Sequence, residues 1–80
     1  MFYILLEIWD MGIEWHIITD TDTRKEMAKY IQDNLEDLQE MQYEDDGYFS
    51  IRECNGEYIT DIWEGDIKKL LKLIQEDTNE

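Results

Sequence analysis

Residues 2–9 place Phe2, Ile4, Leu6 and Ile8 on one side and Tyr3, Leu5, Glu7 and Trp9 on the other, the period-two pattern of a strand. Both sides are largely apolar, which predicts a central strand. Asp10-Met11-Gly12 supplies a turn, with Gly12 free to take positive φ, and residues 13–19 return as a second strand that sets Ile13, Trp15 and Ile17 against Glu14, His16 and Ile18. The period then changes. Met27, Ile31, Leu35 and Leu38, with Ala28 and Met41 beside them, follow helical spacing and predict one long amphipathic helix over residues 20–41. Thr23 is its expected N-cap with Glu26 as the partner three residues on, although Asp20 or Asp22 would cap it a turn earlier.

The second half repeats the order. Residues 48–54 and 57–60 flank Asn55-Gly56, a strong hairpin signal that predicts a type I′ turn with positive φ at both residues. Ile67, Leu70, Leu71 and Ile74 then form the stripe of a second helix, started at Asp66 or at Asp61 with Glu64 as its partner. Ile18-Thr19-Asp20 and Ile59-Thr60-Asp61 stand at similar exits from the two hairpins and suggest a pseudo-repeat. The expectation is a single α+β domain over residues 1–75. Two β-hairpins, each followed by a helix (ββαββα), form a four-stranded, mostly antiparallel sheet with both helices on one face. Residues 76–80 are expected to be a flexible acidic tail.

Charge changes this picture most. Twenty-one acids oppose 7 Lys and Arg among 80 residues, a net charge of -14. Ten aromatics, eleven Ile and clear periodicities exclude a disordered chain. The absence of Val and Pro beside a single Ala points to AT-rich coding more than to salt adaptation. So acidic a surface argues against direct binding of nucleic acid or of an anionic membrane. The N-terminal apolar run lacks a basic leader and is broken by Glu7, so the expectation is neither a signal peptide nor a membrane span, with cytoplasmic residence.

The acids are not spread evenly. Between Lys29 and Arg52 there are seven and no base: Asp33, Glu36, Asp37, Glu40, Glu44, Asp45 and Asp46. At about 100° per residue the first four share one ridge of the long helix. There the i, i+4 pairs Asp33/Asp37 and Glu36/Glu40 repel, and the C-terminal half of a helix disfavours negative charge. Arg24, Lys25 and Lys29 crowd the first turns, where acids would be favoured. Charges placed against the helix with no folding gain mark a functional surface.

Catalytic chemistry is not indicated. There is one His, one Cys and one Ser, with no phosphate loop and no nucleophile elbow, so the chain reads as a non-enzyme without cofactor. Cys54 and His16 are too few for a zinc site, His16 reads as an ordinary sheet residue, and the Asp20-Thr21-Asp22 pair lacks the ligand alternation of a calcium loop, so no metal is expected. Carboxylates along a helix ridge recur about 5–6 Å apart, close to the spacing of phosphates on one nucleic-acid strand. Tyr43, with Tyr30 and Tyr48 near the ridge, offers an aromatic anchor, although Tyr48 fits sheet packing better. In size, acidity, AT-rich composition and clustered carboxylates the chain resembles the small acidic proteins with which phages and mobile elements block host nucleases, restriction enzymes or CRISPR effectors. That resemblance implies an inhibitor in the host cytoplasm that mimics nucleic acid. It would bind a basic nucleic-acid-binding host protein through Asp33, Glu36, Asp37, Glu40, Tyr43, Glu44, Asp45 and Asp46. The rival reading is an adaptor that binds through apolar surface, including as a homodimer paired at an exposed edge strand.

Overall fold

The computed structural model describes residues 1–78. Its elements run β1 (Phe2–Trp9), a tight turn of positive φ (Asp10–Gly12), β2 (Glu14–Thr21), α1 (Arg24–Asp33), α2 (Leu35–Asp45), β3 (Tyr48–Asn55), β4 (Tyr58–Gly65) and α3 (Ile67–Thr78). The strands form one antiparallel sheet in the order β2-β1-β3-β4. β1 is central, as its two apolar faces require, and its residues from Tyr3 to Ile8 are all buried. The α+β class, the hairpin-helix order and the antiparallel sheet agree with the sequence reading.

One face of the sheet carries the helices. Tyr3 and Leu5 from β1 and Phe49 and Ile51 from β3 pack with Met27, Ala28 and Ile31 of α1, Leu38 of α2, and Ile67, Leu70 and Ile74 of α3. A smaller cluster of Ile4, Leu6, Ile8 and Cys54 lies on the other face, with Tyr48 beside it. Among the described residues no helix packs against that second side.

Three expectations need correction. The long helix is two helices, broken at Asn34, whose φ of -117° and ψ of 16° leave the helical region. The Asn34 backbone amide and side chain both donate to the Tyr30 carbonyl, at 3.1 and 2.9 Å, so a residue that favours local side-chain bonds closes the end of α1 there. The second hairpin is shifted by one residue: Asn55 pairs with Tyr58, and the two-residue loop is Gly56-Glu57. Only Gly56 takes positive φ (64°), the pattern of a type II′ turn with glycine first. Finally, the acidic tail does not start at residue 76. Helix α3 continues to Thr78, and Asp77 is tied to Arg24 at 2.8 Å; residues 79–80 lie outside the described residues.

The repeat in the sequence is real in shape but offset. Both edge strands have eight residues and the same succession of exposed and half-buried positions. Each has a register shift, one residue long, at Ile18 in β2 and at Ile62 in β4, and both isoleucines pack against the helix-side core. Ile18 therefore corresponds to Ile62, and the matching Ile-Thr-Asp triplets are not equivalent positions.

The start of the helical half is as expected. Thr23 caps α1, its hydroxyl oxygen accepting from the Glu26 amide at 3.1 Å. Asp66, not Asp61, caps α3, accepting from the Lys69 amide at 2.9 Å. Arg24 closes the far corner of the molecule: its guanidinium lies over the rings of Tyr3 and Trp63 and reaches Asp77 and Glu53. Hydrogen bonding to Asp77 first, and then to Tyr3, holds it firmly in the charged form.

Candidate functional site

Helix α2 contributes a single buried residue, Leu38, to the core. Its Gln42 does one more structural task, accepting the Ile67 amide at 2.9 Å and so satisfying a free donor at the start of α3. Apart from Tyr43, its exposed residues are all acidic. Glu36, Asp37, Glu40, Glu44, Asp45 and Asp46 are exposed, and among the described residues none is in an ion pair. Tyr43 stands among them with 88% of its surface exposed. Lys68, Lys69 and Lys72 of α3 are exposed as well and make no ion pair with these acids among the described residues.

The break at Asn34 revises the electrostatics of the ridge. Asp33 ends α1 and pairs with Lys29 at 3.7 Å, four residues back, so it is separated from the others by the kink and partly neutralised. Glu36 and Asp37 fall in the first turn of α2, where the helix dipole favours them. The earlier inference that these two oppose the dipole is overturned. It holds for Asp33, the last residue of α1, and the same disfavour falls on Glu44 and Asp45, which lie in the last turn of α2 without any base.

The C-terminal end is where the chain departs furthest from what folding favours. Asp46 takes the left-handed conformation (φ 50°, ψ 44°), a position that glycine or asparagine fills more cheaply. The Gly47 amide donates to the Gln42 carbonyl at 3.2 Å and the Asp46 amide to the Tyr43 carbonyl at 3.4 Å, the bonding of a Schellman motif. Gly47 then presses on β1. A Cβ there would stand 2.6 Å from the Ile8 carbonyl oxygen, so only glycine lets the chain pass. Facing this end is the β1–β2 turn, in which Asp10, Met11 and Gly12 all have positive φ. Trp9, Asp10, Met11, Asp45, Asp46 and Tyr48 line a shallow pocket between them.

Beneath this pocket lies the residue whose importance sequence reasoning missed. Glu7 is fully buried, and neither carboxylate oxygen has a hydrogen-bond donor among the described residues. Its nearest base is His16 across the β1–β2 pair, with Nδ1 at 3.8 Å, and His16 in turn meets Trp9 edge to face. Burial, reinforced by the neighbouring Asp45 carboxylate, pushes the Glu7 carboxyl up to about 7. The signal in the sequence was a lone acid at an inward-facing position of an otherwise apolar strand.

Two surfaces thus stand apart from the core: an unpaired acidic face on α2, and an uncovered sheet face. Among the described residues there is no group of His, Cys, Asp and Glu suited to hold a metal ion, and no helix is long and apolar enough to cross a membrane. Neither a protein-family model, nor a curated protein, nor a solved structure matches this chain, so its function is to be read from the chemistry of these surfaces.

Proposed function

We propose that this chain is a non-enzymatic inhibitor that occupies the basic, nucleic-acid-binding cleft of another protein, such as a CRISPR effector, nuclease or restriction enzyme, through the outer face of α2. The observation that carries this reading is the run of six exposed acids, Glu36 to Asp46, without an ion-pair partner among the described residues and with exposed Tyr43 in its midst. The helix dipole accounts for Glu36 and Asp37 but not for Glu40, Glu44, Asp45 and Asp46. Glu36, Glu40 and Glu44 recur every four residues, about 5–6 Å apart, and a cleft that holds a phosphate strand presents bases at similar intervals. Asp33 extends the track across the kink. At its other end the pocket sets the acids Asp10, Asp45 and Asp46 around Trp9 and Tyr48, an arrangement that suits the planar cation of an arginine side chain.

The test is capture of nucleic-acid-binding proteins from bacterial lysate on the immobilised chain, with duplex DNA added as competitor. Captured proteins should be released by the DNA and by high salt. Replacing Glu36, Asp37, Glu40 and Glu44 with Gln or Asn should abolish capture. Replacing the exposed acids Glu14, Asp22, Glu57 and Glu76, which removes the same charge from elsewhere, should not. Capture that survives DNA, or that both variants lose alike, overturns the reading.

A further inference from the structure

We propose that the helix-free face of the sheet is an interface for a second copy of this chain, giving a dimer of two stacked sheets with the helices outside. The strand registers lay this face out in rows. Phe2, Cys54 and Ile59 form one; Asp20, Ile4, Arg52 and Asp61 the next; Ile17, Leu6, Ser50 and Glu64 the third; Trp15, Ile8 and Tyr48 the last. Its central strand is wholly apolar on this side. Around that centre, large apolar side chains stay in water: Phe2 is 42% exposed, Trp15 60%, Ile17 53% and Ile59 64%, with Ile13 exposed at the end of the same strand pair. At about 150–250 Å² for a full aromatic side chain and somewhat less for isoleucine, these five leave on the order of 500 Å² of apolar surface uncovered. That is most of the roughly 800 Å² each partner buries in a standard interface. It matches the largest apolar patches found on soluble monomers.

Charge selects the occupant. Of a net charge of -14, this face holds one base and three acids, Arg52 with Asp20, Asp61 and Glu64, and Arg52 is already paired with Asp61 at 2.7 Å. A nearly neutral face on so acidic a chain is what lets two copies meet, because stacking sheet on sheet turns the acids of α2 away from each other. A basic partner would find few acids here, and an anionic membrane would be repelled by the rest of the molecule. The edges are poorer candidates for self-pairing. The bulges at Ile18 in β2 and Ile62 in β4 interrupt both outer ladders, as protected edges do.

Sedimentation equilibrium of the full chain decides this. The wild type should weigh twice 9.8 kDa at micromolar concentration. Raising the salt should tighten the dimer, because screening relieves repulsion between two acidic copies, whereas binding of α2 to a basic cleft should weaken. Trp15→Lys with Ile59→Lys should raise the dimer dissociation constant at least about tenfold, with an unchanged circular dichroism spectrum. If that pair unfolds, Trp15→Ser with Ile17→Ser takes its place. The control Glu40→Lys should stay dimeric. A wild type that is monomeric in both salts overturns the proposal. So does a dimer that ignores both face variants, or a mass that climbs past two copies with concentration. None of these results bears on capture by α2, so the two proposals fail separately.

Discussion

Helices α2 and α3 are neighbours of nearly equal length on the same side of the sheet, yet they are built to different ends. Helix α3 buries Ile67, Leu70 and Ile74 and starts on an Asp66 cap that satisfies the Lys69 amide. Helix α2 buries Leu38 alone, starts from Asn34 without a side-chain cap, and ends on a left-handed Asp46. Neither follows its dipole throughout, since the lysines of α3 sit in its first two turns and Glu44 and Asp45 sit in the last turn of α2. The difference is in what the outward residues cost. On α3 the local choices of stripe and cap favour the fold; on α2 the last turn opposes it. Helix α3 also ends on acids, Glu76 and Asp77, but Asp77 is paired with Arg24. Glu44, Asp45 and the left-handed Asp46 have no ion pair among the described residues, and that is where selection for something other than stability shows.

The contrast is broken most directly by removing what each helix supplies. Leu70→Ala, at a fully buried position, should cost about 2–5 kcal/mol. Glu36→Gln with Glu40→Gln should change stability by less than about 1 kcal/mol, since it relieves two i, i+4 repulsions, Glu36/Glu40 and Glu40/Glu44, and loses one favourable dipole contact. Urea unfolding measures both. A large loss from the α2 pair would mean that the acids hold the fold, and the case for a partner there would go.

Glu7 sharpens the contrast from below the helix. Its carboxyl is raised to about 7 in the folded chain from an ordinary value of 4.5, so between those pH values the folded state holds a proton that the unfolded chain has released. Stability from this group is therefore fully present below about 4.5 and is lost as the pH rises through about 7. The loss above 7 is on the order of 3 kcal/mol at most, at about 1.4 kcal/mol per unit. Glu7→Gln should raise the melting temperature at pH 8 and leave it nearly unchanged at pH 4. Asp45→Asn should act in the same direction and more weakly, because it removes the second cause of the shift and brings a donor toward the carboxylate. Equal effects at both pH values would show that Glu7 is not titrating in this range.

Much of this was readable in the chain. Alternation located β1 and β2, the Thr23 box located the start of α1, and the stripe from Ile67 to Ile74 located α3, because each is a local signal that its tertiary surroundings reinforce. The break at Asn34 was hidden, since Ile31, Leu35 and Leu38 keep helical spacing across it and neither glycine nor proline marks it. The non-helical backbone of Asn34 and its side-chain bond to Tyr30 are visible only in three dimensions. The hairpin around Gly56 was shifted by one residue because Asn-Gly fits a type I′ turn, while the paired strands on either side set the register. The acids of α2 were recognised as a group. Their relation to the dipole was misjudged as a consequence of the missed break, and the burial of Glu7 beside Asp45 joins residues far apart in the chain, which no periodicity reports.

Small effects also fall at the two helix caps, and there the comparison predicts opposite signs. Asp66→Ala removes the acceptor of the Lys69 amide and should cost about 1 kcal/mol, the usual worth of an N-cap. Asp46→Gly replaces a side chain held at φ 50° with the residue that takes that conformation freely, and should stabilise the chain by up to about 1 kcal/mol. Part of that gain is offset, because glycine also has more freedom to lose from the unfolded state. Asp46 loses no ion pair when replaced, since it has none among the described residues, so backbone strain and like-charge repulsion are both relieved. If Asp46 is retained for a basic partner, the stabilised Asp46→Gly chain should bind captured proteins less well, while destabilised Asp66→Ala should bind them as the wild type does. Thermal unfolding and capture on the same two variants give the four numbers needed. Should Asp46→Gly gain stability and keep full binding, the strained cap is an accident of the α2–β3 joint, and the partner surface ends at Asp45.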